Sequence, residues 1–66
     1  MNLKEIRIAK GMTQKELANA IEVTDAAICQ YENGQREPNL DNLKKLARVL
    51  DCTVDELIND PKEEQK

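Results

Sequence analysis

The chain has 66 residues, ten basic and thirteen acidic, for a net charge of −3, and it contains no histidine. This length allows one domain, near the lower limit for a self-sufficient core, and with Tyr31 as its one aromatic residue that core has to be aliphatic. No histidine, glycine-rich phosphate loop or paired-carboxylate pattern supplies a catalytic group, and Cys29 and Cys52 are too few for a tetrahedral zinc site; an enzyme, a metal and a cofactor are all unexpected.

No apolar stretch approaches the roughly 20 residues of a membrane span. Lys4, Glu5 and Arg7 stand where an export signal would be apolar. A cytoplasmic location with reduced, unpaired thiols follows, and no membrane contact is expected. The apolar residues recur at three and four and not at two, which predicts an all-α fold, a compact five-helix bundle.

Asn2 and Glu5 have capping-box spacing at the start of helix one, whose apolar stripe begins with Leu3 and Ile6 and runs to about Lys10. Gly11 then supplies a left-handed residue that ends it. Thr13 and Glu16 form a second capping box, with Met12 and Leu17 at staple spacing. Leu17, Ala18 and Ile21 make the buried side of helix two. Thr24 opens helix three, Val23 and Ile28 repeat the staple, and Asn33-Gly34 closes it.

A loop, Gln35-Arg36-Glu37-Pro38, leads to Asn39, the cap of helix four. There Leu40, Leu43, Leu46, Ala47 and Leu50 are expected to face inward. Thr53 and Glu56 form a third capping box, flanked by Cys52 and Leu57, and Pro61 stops helix five. Residues 1–60 are thus the folded domain and 61–66 a frayed, charged tail.

The segment from Thr13 to Gly34 carries the functional signal. Two short helices separated by so few residues cannot lie antiparallel, so the second projects a face outward. At about 100° per residue, Ala27, Ile28 and Tyr31 share one side of helix three. Asp25, Ala26, Cys29, Gln30 and Asn33 share the other, which is small or polar and suited to a DNA major groove. Gln30 can pair with the N6 and N7 of adenine, and Ala26 can touch a thymine methyl.

Asp25 is favoured by the helix dipole, although it repels phosphate. Cys29 has no basic neighbour in sequence to activate its thiol and serves as a small contact residue. Gln14 and Thr24, at two helix starts, and Asn33, Gln35 and Arg36, at the far end of helix three, are placed to grip phosphates. The acidic balance is −1 over residues 1–37 and −2 beyond. It argues for selective contact and against general attraction to DNA.

Together these residues resemble the phage repressor and Cro-type helix-turn-helix family, the Xre family, over about residues 3–58. GMTQKELA is similar to the family's opening of helix two, VTDAAICQYENG to its turn and recognition helix, and REPNLDNLKKLARVLDCTVDEL to its closing helices. The resemblance implies a transcriptional regulator, expected to be a repressor, with phosphate contacts at Gln14 and Asn33 and base contacts at Asp25, Ala26 and Gln30. It also implies an ion pair between Arg7 and Glu32.

Two residues depart from the family pattern: Glu22, where glycine is usual in the turn, and Asp25, where a neutral or donor residue is common. The family implies a two-fold dimer on a palindromic operator. Without a separate dimerisation domain, a weak homodimer is expected through Val54, Glu56 and Leu57. No small-molecule effector is evident. The alternative is an antitoxin or an antagonist of another regulator, whose main partner is a protein.

Overall fold

A computed structural model describes residues 1–58. It contains five helices and, among the described residues, no strand: α1 (Leu3–Ala9), α2 (Gln14–Ile21), α3 (Asp25–Asn33), α4 (Leu40–Val49) and α5 (Val54–Ile58). The expected all-α bundle is therefore present. α1 packs against α3 and α5, α2 against α3 and α4, and α4 against α5. None of the described helices is long and apolar enough to cross a membrane. Pro61 and the tail fall outside the described residues.

Leu3, Leu17, Ile21, Ile28, Leu46, Leu50 and Leu57 fill the centre, joined by Ala18, Ala27, Ala47 and Tyr31. α2 and α3 each give this core three residues at helical spacing, α4 gives two with Leu50 just past its end, and α1 and α5 give one each. Leu40 departs from expectation: in the first turn of α4 it is 62% exposed. The inward stripe of α4 instead passes through half-buried Leu43 to Leu46, Ala47 and Leu50.

Local caps set most helix starts. Thr13 accepts from the Glu16 N–H at 3.0 Å while Glu16 accepts from the Thr13 N–H at 2.9 Å. Thr53 and Glu56 repeat the exchange at 3.0 and 2.8 Å. Thr24 caps Ala27, and Asn39 caps Asn42. The box expected at Asn2 is absent, because Asn2 has φ −101° and ψ 27° and makes no side-chain cap. Its backbone N–H instead donates to the Leu57 carbonyl at 2.7 Å. A contact from α5 thus anchors the start of α1.

Three turns share one construction: a left-handed residue, a half-buried apolar residue, then a threonine cap. They are Gly11-Met12-Thr13 (φ 72°), Glu22-Val23-Thr24 (φ 65°) and Asp51-Cys52-Thr53 (φ 56°). In each, the apolar residue's N–H reaches back five positions, from Met12 to Arg7, Val23 to Ala18 and Cys52 to Ala47. These bonds satisfy carbonyls that a helix end would otherwise leave unpaired. Burial, with the Glu56 carboxylate nearby, pushes the Cys52 thiol up from its ordinary value.

Candidate nucleic-acid interface

The turn after Ile21 ends α2 at left-handed Glu22, and Thr24 starts α3 immediately afterwards. Burial of Ala27, Ile28 and Tyr31 fixes the rotation of α3 about its axis. Asp25, Ala26 and Asn33 are consequently exposed, with Cys29 and Gln30 half-buried between them. The side chains on this outer face are small or carry hydrogen-bonding groups. Asn33 Nδ2 donates to the Cys29 sulfur at 3.4 Å, one turn back along the helix.

Beneath that face lies a polar cluster. Arg7 Nε donates to Glu32 Oε2 at 2.6 Å, and Nη2 reaches Oε1 at 3.5 Å. The side chains are 11% and 4% exposed, so the pair is largely withdrawn from water. Arg7 Nη1 donates to the Met12 carbonyl at 2.8 Å, tying down the turn that leads into α2. Gln14 Nε2 completes the cluster by donating to Glu32 Oε1 at 2.9 Å.

One arginine and one glutamate thereby join the end of α1, the start of α2 and the end of α3. Gln14 is brought against Glu32, the sequence neighbour of Asn33, so the start of α2 is tied to the last turn of α3. Gln14 carries a second amide N–H, so it can hold Glu32 and still donate outward. At the opposite end of α2, the Thr24 oxygen caps Ala27 at 3.1 Å, and its hydroxyl proton remains a donor.

Past Gly34 (φ 79°), Gln35 and Arg36 are exposed. Arg36 Nη1 donates to Gln30 Oε1 at 3.4 Å, a contact that helical periodicity does not reveal. Asp25 is exposed in the first turn of α3, where the dipole favours its charge.

The residues expected at a dimer contact are divided. Leu57 is fully buried in the core of its own chain, so its side chain is not available to a partner. Val54 and Leu57 lie three apart on a five-residue helix, which turns both toward the bundle. Val54 is half-buried and Glu56 exposed. Ile58, 46% exposed, lines a shallow groove with Met1, Leu43 and Pro38.

The sequence pattern of the helix-turn-helix family matches residues 3–57. The chain is 35% identical over 57 residues to the HTH-type transcriptional activator BcrR of Enterococcus faecalis, covering 86% of this chain and 28% of that protein. It is 37% identical over 57 residues to the uncharacterized HTH-type transcriptional regulator YqaE of Bacillus subtilis, covering 86% and 49%. It is 31% identical over 58 residues to the cryptic phage CTXphi transcriptional repressor RstR of Vibrio cholerae, covering 88% and 52%. The chain therefore spans between about a quarter and about half of these relatives' lengths. No solved structure matches significantly. With the family pattern running through all five helices, the chain belongs to the helix-turn-helix family of the phage repressor and Cro type.

Proposed function

We propose that the chain is a sequence-specific DNA-binding transcriptional regulator that acts in the cytoplasm by recognition, without a catalytic step. The outer face of α3 carries this reading: Asp25, Ala26, Cys29, Gln30 and Asn33 are turned away from the core on a helix whose opposite side is buried. In the proposed complex α3 lies in the major groove, with Asp25, Ala26, Cys29 and Gln30 facing base edges. Gln14, Thr24, Asn33, Gln35 and Arg36 hold phosphates on either side.

Repression by operator occupancy is the simplest mode of action for a domain that reads DNA through α3. Two-fold pairing on a palindromic site fits the family geometry. On α5 the exposed Glu56 and Ile58, with the uncovered part of half-buried Val54, are the proposed contacts of a weak interface, one that DNA helps to assemble. The net charge of −3 favours a second reading, in which a protein is the main partner.

Selection from random duplexes at low salt separates the two. Enrichment of a two-fold symmetric sequence is expected, and failure to enrich any sequence rejects operator binding. Gln30→Ala should relax preference at one base pair by about 1–3 kcal/mol. Asn33→Ala should weaken every sequence alike. If both variants bind as the parent does, the contacts are misassigned.

A further inference from the structure

The loop after α3 folds back over the residue best placed to read a base. The backbone N–H groups of Gln35 and Arg36 both donate to the Gln30 carbonyl, at 2.9 and 3.3 Å. This closure carries the Arg36 side chain to that of Gln30, where Nη1 donates to Oε1 at 3.4 Å. A guanidinium offers donors only, so the atom that faces it has to be the carboxamide oxygen. The two ends of the Gln30 carboxamide are therefore no longer equivalent: Oε1 is engaged by the loop arginine, and Nε2, a donor, is not.

We propose that Arg36 is a positioning residue that sets which base Gln30 selects, an inference that rests on the DNA-reading role of α3. Adenine is read by a carboxamide whose oxygen and nitrogen lie side by side against N6 and N7. With Oε1 held back by Arg36, Gln30 presents N–H donors. Guanine, whose N7 and O6 are both acceptors, is the base pattern that matches them. Arg36 spends one of its five donors on Gln30 and keeps the others for a neighbouring phosphate. Base choice and backbone grip are thereby coupled through one side chain.

The test is selection from random duplexes with the parent, Arg36→Ala, Arg36→Lys, Gln30→Ala and the Arg36→Ala/Gln30→Ala double variant. The position that Gln30 reads is the one whose preference Gln30→Ala abolishes. The parent should select guanine there. Arg36→Ala should move the choice toward adenine, changing the guanine-to-adenine ratio roughly tenfold, the worth of one good base contact. Arg36→Lys, which keeps a cationic donor, should retain part of the guanine preference. In the Gln30→Ala background, Arg36→Ala should change overall affinity and leave that position unselective.

A parent that already prefers adenine there overturns the inference. So does an Arg36→Ala variant that weakens all duplexes by one factor without changing the base chosen. Either result leaves the DNA-reading role intact, whereas a parent that enriches no sequence removes both.

Discussion

The two halves of the bundle share one aliphatic core, but only one of them adds a polar cluster to it. In the half formed by α1, α2 and α3, the meeting point of the helices is polar, with Arg7, Glu32, Gln14 and the Met12 carbonyl joined by hydrogen bonds. In the half formed by α4 and α5, Leu46, Leu50 and Leu57 meet with no measurable exposure. An aliphatic contact tolerates sliding, because dispersion has no preferred direction. A bidentate ion pair fixes distance and angle together. The directional contacts lie where α1, α2 and α3 meet at their ends, beside the proposed DNA-facing side of α3.

That contrast is tested most severely at Arg7. Arg7→Ala removes the cation from a carboxylate that is 4% exposed, leaving Glu32 with Gln14 as its remaining donor. A loss of about 3–5 kcal/mol is expected, the range for breaking one partner of a buried pair. Such a loss approaches the whole stability of a small domain. Lys4→Ala, at an exposed position on the same helix, should leave the denaturation midpoint almost unchanged. Equal midpoints for the two variants would show that the pair adds nothing. Arg7→Met combined with Glu32→Leu should recover much of the loss, since apolar replacements can carry such a site. If geometry is the reason for the pair, the double variant folds but binds DNA less tightly.

In the closing half the matching change is Leu57→Ala. It empties a fully buried site packed between α1 and α4 and should cost about 2–5 kcal/mol by chemical denaturation. Here no partner substitution that restores charge or hydrogen bonding can help, whereas Leu57→Met should cost under about 1.5 kcal/mol because it conserves volume. A Leu57→Ala variant as stable as the parent, yet with weakened self-association, would return this residue to the dimer contact.

Much of this architecture was legible because it is local. A threonine and a glutamate three residues apart specify a helix start without reference to the rest of the fold, and Thr13 and Thr53 behave accordingly. The outer face of α3 followed from periodicity alone. Asn2 carries the same local signal but does not cap, because its backbone is set by a hydrogen bond that its N–H donates to the carbonyl of Leu57, far away in sequence. Leu40 fits the apolar spacing of α4, yet it is exposed in the first turn of that helix, where the core is reached only from Leu43 onward.

The links from Gln14 to Glu32 and from Arg36 to Gln30 were likewise illegible, since each depends on how a loop returns the chain to a helix end. One signal was present and informative. The order of left-handed residue, apolar residue and threonine occurs three times, and comparison with Gly11 marks Asp51 as well as Glu22 as left-handed.

The repeated turn yields the finest comparison between the halves, because each contains one acidic residue in the left-handed region. A Cβ built at Gly11 would meet nothing within 4 Å, so backbone conformation and not space is what favours glycine there. Glu22 and Asp51 adopt that conformation with side chains attached, at a cost of roughly 1–2 kcal/mol for a non-glycine residue. Part of this returns as glycine's larger entropy loss on folding. Glu22→Gly should therefore stabilise by about 1 kcal/mol. Asp51→Gly should gain less, because aspartate tolerates the left-handed region better than glutamate and sits 3.9 Å from Lys10. Denaturation midpoints of the two variants decide the matter. A larger gain at Asp51 than at Glu22 would mean that turn strain is not set by backbone conformation alone, and no gain at either would mean the strain is relieved by contacts the glutamate and aspartate side chains make.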